Sequence, residues 1–209
     1  MAGTITAIKI QKRNKERVNV YVDDQYAFAV TALVGATLKK GQYLSEADVE
    51  RFTSQDERHK AYDQALRYLS FRARSRREVE RHLGEKGYSP EVVTATVERL
   101  LDEGYLDDEA FARFWLENRE RFRPRSQRAL RYELRQKGIA AELIDSLLTD
   151  LDEDELAWAA VEGKVIQWQN LDEEEFKKKV LGFLNRRGFN YEVAYRMFDR
   201  AWSQVKMTD

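Results

Sequence analysis

Three copies of one short phrase punctuate this chain: Leu83-Gly-Glu-Lys-Gly87-Tyr88, Leu134-Arg-Gln-Lys-Gly138-Ile139 and Leu184-Asn-Arg-Arg-Gly188-Phe189. The copies stand about 50 residues apart, the period of a repeat array rather than of one irregular core. Aligning the glycines brings further columns together. Apolar residues sit eight before (Val79, Leu130, Val180), five after (Val92, Leu143, Val193) and ten after (Val97, Leu148, Phe198), and a glutamate sits four after (Glu91, Glu142, Glu192). Each phrase also reads as a helix ending. Glycine takes the left-handed conformation after a C-cap without steric penalty, and a Schellman ending joins the next apolar residue to the third-from-last helical one. Tyr88 with Leu83, Ile139 with Leu134 and Phe189 with Leu184 satisfy that pairing. Similar small helical units in tandem present an extended surface, which suits long ligands.

The periodicity predicts three helices per repeat. In the first, helix A carries Ala65, Leu66 and Leu69. Helix B opens at Ser75-Arg-Arg-Glu78, a capping box, and carries Val79 and Leu83. Helix C starts at Ser89-Pro90, cap then proline, runs through Val92, Val93, Val97, Leu100 and Leu101, and stops at Gly104. The second repeat uses Phe111, Phe114 and Trp115, then Leu130 and Leu134, then Leu143, Ile144, Leu147 and Leu148, with Pro124 breaking the chain between A and B. The third places its helices over Leu156–Trp168, Phe176–Arg187 and Val193–Trp202.

The first thirty residues differ. Ile8 and Ile10, then Val18, Val20 and Val22, then Tyr26, Phe28 and Val30 alternate at period two, with Asn14-Lys15 and Asp23-Asp24 at the turns. They predict a three-stranded meander over residues 4–31, packed against helices. Gly35 and Gly41 mark a hinge-like stretch, Ser45-Glu-Ala-Asp48 caps a short helix, and the polar run Ser54–Lys60 leads into the first long one. The expected fold is mainly α: tandem three-helix repeats in an elongated array, preceded by a small amino-terminal antiparallel β-meander. The expected divisions are 1–60, 61–107, 108–152 and 153–209.

Little in the chain suggests chemistry. There are no cysteines, no apolar stretch reaches the length of a membrane span, and Met1-Ala-Gly-Thr lacks a signal-peptide pattern, so a soluble cytoplasmic monomer is expected. His59 and His82 have no matched catalytic partners, and Gly35 and Gly41 do not make a phosphate loop. Asp107-Asp108 and Asp152-Glu-Asp-Glu155 fit helix starts better than metal sites. Trp115, Trp158, Trp168 and Trp202 fall among apolar helical positions and are assigned to the core. Neither an enzyme nor a bound cofactor or metal is expected.

Charge carries the functional signal. Charged residues make up 35% of the chain, yet the net charge is only −1. The sum conceals segregation. Arg72, Arg74, Arg76, Arg77 and Arg81 surround the A–B junction of the first repeat. Arg119, Arg121, Arg123, Arg125, Arg128, Arg131 and Arg135 surround the same junction of the second, and Asp150, Asp152, Glu153, Asp154 and Glu155 follow. With the glycines aligned, Arg77 falls on Arg128 and Ser75 on Ser126. Two equivalent basic junctions in adjacent modules suit a polyanion or a periodic acidic partner, and arginine's fork pairs bidentately with phosphate or carboxylate. The competing reading is a solvated face partly neutralised by Glu78, Glu80, Glu117 and Glu120. The third repeat departs from this pattern, with Lys177, Lys178, Lys179, Arg186 and Arg187.

The stretch Ala65-Leu-Arg-Tyr-Leu69 to Arg72-Ala-Arg-Ser75, with Glu78, Leu83 and Lys86-Gly-Tyr88, resembles the opening of the RecX regulatory proteins. Gly104-Tyr-Leu-Asp-Asp108-Glu-Ala-Phe111-Ala and Glu133-Leu-Arg-Gln-Lys-Gly-Ile139 continue the resemblance, which covers about residues 61–202. It implies a modulator, usually negative, of the RecA recombinase. Such a protein binds along the RecA–DNA filament and restrains strand exchange and coprotease activity in recombination, DNA repair and the SOS response. The implied partners are the RecA filament with single-stranded, and also double-stranded, DNA. No catalytic motif carries over. The alternative is a protein whose helical repeats bind DNA directly, without RecA. Against it, no predicted helix shows a compact set for base readout, and the net charge is not basic.

Overall fold

The computed structural model describes residues 2–208. It opens with three antiparallel strands, β1 (Gly3–Ile10), β2 (Arg17–Val22) and β3 (Gln25–Thr31). Asp23 and Asp24 both take positive φ, 47° and 65°, in the β2–β3 turn, as their turn chemistry predicts. A one-turn helix α1 (Ala32–Gly35) leads to β4 (Tyr43–Leu44), which pairs with β1. The meander is therefore extended to four strands in the order β3-β2-β1-β4.

Helix α2 (Glu46–Leu69) corrects the expectation of a separate linking helix. It begins at the anticipated cap, where Ser45 and Asp48 exchange both capping-box hydrogen bonds, and then runs unbroken through Ser54–Lys60. Its two halves serve different cores. Val49 and Phe52 pack on the sheet, where Ile5, Val18, Val20, Val22, Phe28 and Val30 are buried and Phe52 stacks on Phe28 at 4.9 Å. Ala61, Tyr62 and Ala65 join the core of the first repeat. Between these halves Asp56, 5% exposed, receives the Arg17 guanidinium and accepts from the Ala29 amide at 3.2 Å. It thereby covers an edge strand with a helix, which removes an otherwise open pairing template.

Helices α3 (Arg76–Glu85) and α4 (Pro90–Asp102) complete the first repeat, whose core is Val79, Leu83, Val92, Val97, Leu100 and Leu106 around α2. The second repeat is α5 (Asp108–Phe122), α6 (Gln127–Gln136) and α7 (Ala141–Leu148); the third is α8 (Glu153–Trp168), α9 (Glu173–Arg186) and α10 (Tyr191–Thr208). One continuous core runs through both, from Phe111 to Val205. Trp158 is buried in it, and Trp115, Trp168 and Trp202 pack partly buried against it. The chain divides into two compact units. The first runs to Ala73 and resumes over Val79–Leu106; the second takes Arg74–Glu78 and everything from Asp107.

The three helix endings are full Schellman motifs. Tyr88, Ile139 and Phe189 donate to Leu83, Leu134 and Leu184 at 3.3, 3.1 and 3.2 Å, while the preceding glycines donate to Gly84, Arg135 and Asn185. Gly87, Gly138 and Gly188 have φ of 88°, 83° and 93°.

Candidate binding surface

The basic junctions are built around two buried serines. Ser75 is the N-cap of the first helix B: its hydroxyl accepts from the Glu78 amide, and its own amide donates to Glu78, both at 3.3 Å. The same hydroxyl donates to the Lys137 carbonyl at 2.6 Å, and Lys137 reaches back to Glu78 at 2.8 Å. Ser126 takes the equivalent place with different bonds: its backbone amide, not its hydroxyl, meets the next helix end, and Ala129 stands where Glu78 completes the first box. It caps α6 through the Ala129 amide at 3.1 Å, its amide donates to the Arg187 carbonyl at 3.2 Å, and Arg187 donates to the Pro124 carbonyl at 2.9 Å. Lys137 and Arg187 each precede a repeat glycine, so the start of one helix B seats on the end of the next.

That seating gives the glycines a second reason. A Cβ on Gly138 would lie 2.4 Å from Arg77 Cδ and 2.5 Å from its Cβ; one on Gly188 would lie 2.6 Å from Ser126 Oγ. At Gly87 nothing lies within 4 Å. The third repeat has Phe176 where the others have serine, and Phe176 is fully buried in its own core.

Beside each serine stands the second residue of helix B, Arg77 in α3 and Arg128 in α6. Both are exposed. Among the described residues neither has a carboxylate partner, nor do exposed Arg121, Arg123 and Arg135. Lys178 occupies the aligned position in α9 and is also exposed. Exposed aromatics interleave: Phe122 lies under Arg121 at 5.3 Å, and Tyr132 is 65% exposed one turn beyond Arg128.

Other arginines of the expected stripe are engaged internally. Arg119 and Arg125 converge on Glu133 at 2.6 and 3.1 Å, Arg131 pairs with Asp145 at 2.8 Å, and Arg81 lies 3.8 Å from Glu85. Arg72 donates to the Ala73 carbonyl, Arg74 is half-buried, and the Arg76 amide donates to Asp108. Arg72 and Arg81 belong to the first unit; the rest belong to the second. The structure adds Arg187, which sequence reasoning left outside the site. Its guanidinium donates to the Pro124 carbonyl, and burial, followed by the charges of Arg125 and Arg123, holds it below the usual arginine range.

The remaining candidates have structural partners. His82 stacks on Tyr68 at 3.9 Å, His59 lies 3.6 Å from Asp63, and Asp107 and Asp152 cap α5 and α8. Among the described residues no group of acidic or histidine side chains is arranged to hold a metal, and no helix is long and apolar enough to cross a membrane.

These features define a tandem three-helix repeat protein with a fused amino-terminal sheet and an arginine-bearing surface at its module joints. Family models agree module by module. The RecX amino-terminal domain matches residues 3–45, and the first, second and third RecX three-helix domains match 61–100, 107–148 and 152–198. The "Regulatory protein RecX" of Bacillus subtilis is 36% identical over 201 residues, covering 94% of this chain and 76% of that protein. The one from Lactobacillus johnsonii is 34% identical, covering 94% and 74%. A crystal structure of regulatory protein RecX superposes with a TM-score of 0.71 at 30% identity, over 95% of this chain and all of that one. A RecX structure from Lactobacillus salivarius, 20% identical with a TM-score of 0.60, shares the fold. The chain belongs to the RecX family of regulatory proteins.

Proposed function

We propose that this protein is a negative modulator of the RecA recombinase, a monomer that lies along the RecA–DNA filament and restrains strand exchange and coprotease activity. The observation that supports this most directly is the pairing of Arg77 and Arg128. They are the same residue type at the same helical position of successive modules, exposed and without carboxylate partners among the described residues. Each is set beside a buried serine that fixes its helix, so the guanidinium is displayed from a rigid base. Repetition at a fixed structural interval suits a partner that itself repeats. Linked weak contacts then add in effective concentration without any single strong one.

The double substitution Arg77→Glu with Arg128→Glu tests the reading. Charge-assisted hydrogen bonds contribute about 1.5–3 kcal/mol each, so losing two weakens filament binding by about a hundredfold or more. Stability should change by no more than about 1 kcal/mol, since exposed charges contribute little to folding. Filament anisotropy and inhibition of strand exchange measure the first, and urea unfolding the second. A folded double variant that binds and inhibits like its parent refutes the assignment.

A further inference from the structure

The hairpin of β1 and β2, in the first unit, carries a basic surface of its own. Lys9, Lys12, Arg13 and Lys15 fall within seven residues, all exposed, and among the described residues none has a carboxylate partner. The tip is ordered by its own turn: Asn14 accepts from the Glu16 amide at 3.0 Å through its side chain and from the Arg17 amide at 3.3 Å through its carbonyl. The cations therefore stand on a fixed backbone, with Glu16 the single acidic residue between them and β2.

The solvent face of the same strands continues the surface. Gln11 donates to Asn19 at 2.7 Å, and Lys9, paired with Asn19 across the strands, lies over the Tyr21 ring at 4.9 Å. Tyr21 meets Tyr26 edge-to-face at 6.1 Å, and Tyr26 remains 51% exposed. The opposite face holds the buried Val18, Val20 and Val22. Cations at one end and exposed rings at the other form a track about the length of the strands. Asp23 and Asp24 close its far end, and Asp23 is occupied in accepting from the Thr4 amide.

We infer that this face binds single-stranded DNA, with Lys12, Arg13 and Lys15 holding backbone phosphates and Tyr26 stacking on a base. Like charges gathered this closely raise the local positive potential, which attracts a polyanion. Stacking on exposed rings beside a basic groove is the sequence-tolerant mode of single-strand binding, and a duplex withholds its base faces from Tyr26. The choice of DNA rests on the function proposed above.

The test uses the full chain and a labelled oligodeoxythymidine without recombinase, so it stands apart from any failure of the filament reading. Lys12→Glu/Arg13→Glu/Lys15→Glu should flatten the dependence of log affinity on log salt by about 2, three phosphates at about 0.7 each. Tyr26→Ala should weaken binding about tenfold with the slope unchanged. The neutral triple variant, with glutamine at the same three positions, should flatten the slope as well, which guards against a folding defect in the reversed one. An unchanged slope in both triple variants, no binding by the parent at low salt, or a silent Tyr26→Ala with equal affinity for duplex overturns the inference.

Discussion

Substituting alanine for Gly188 separates the two reasons for a repeat glycine. At Gly87 the added methyl group meets open space, so the only cost is a left-handed alanine, about 1–2 kcal/mol. Gly188 has nearly the same φ, 93° against 88°, but there the methyl group would lie 2.6 Å from Ser126 Oγ and 2.9 Å from Ala129 Cβ. Ser126 caps α6 and is 1% exposed, so it has little room to yield. Overpacking of this kind adds about 1–3 kcal/mol, for a total of about 2–5. With a urea m-value of about 2 kcal/mol/M, a cost of about 3 moves the midpoint by about 1.5 M. Trp115, Trp158, Trp168 and Trp202 all lie in the second unit, so tryptophan fluorescence follows Gly188→Ala there, while Gly87→Ala in the first is read from the part of the far-UV circular dichroism transition that fluorescence does not report. A Gly188→Ala shift no larger than that of Gly87→Ala would refute the close-approach reasoning and leave backbone conformation as the whole explanation.

Two further outcomes follow from the first unit. Asp56→Ala leaves the buried Arg17 without its carboxylate and the Ala29 amide without its acceptor, and should cost about 3–5 kcal/mol in urea unfolding; a loss under about 1 would contradict the buried pair. At Tyr62, burial first and then the hydrogen bond and charge of Glu103 push the phenol up to about 12, above its ordinary 10. A value raised by folding contributes stability that is whole below about pH 10 and lost as pH rises through about 12. The parent should therefore lose stability relative to Tyr62→Phe across that window, and parallel pH profiles would contradict the assignment.

What the sequence reveals here is what is encoded locally. The Schellman endings, the capping boxes at Ser45 and Ser75, and the Asp23-Asp24 turn depend on residues within a few positions of one another, and each is found where its residues predict it. Long-range pairings left no such trace. The two-residue β4 is too short to show periodicity, and it is defined only by its partner β1. Within the unbroken α2, Asp56, a polar residue in a polar run, is buried against an arginine 39 positions away, a pairing that local sequence does not announce. The arginine surface was legible as composition but not as geometry. Glu133 draws in Arg119 and Arg125, Asp145 holds Arg131, and Arg187 enters from another repeat, and none of these pairings follows from spacing. The match of Ser75 to Ser126 was visible in the alignment of glycines, but its role in seating successive modules required coordinates.

The central claim is that this protein reads a RecA–DNA filament rather than DNA alone, and paired salt titrations on one oligonucleotide test it most directly. With a net charge of −1, contact with a bare strand depends on local cations and counterion release, so that affinity should fall steeply with salt. Contacts with successive recombinase subunits, as proposed, would add protein–protein surface that depends less on salt. Binding to the RecA-coated strand is predicted to persist at salt concentrations that abolish binding to the naked one. Coincident midpoints and slopes with and without RecA would contradict the account and favour direct DNA binding.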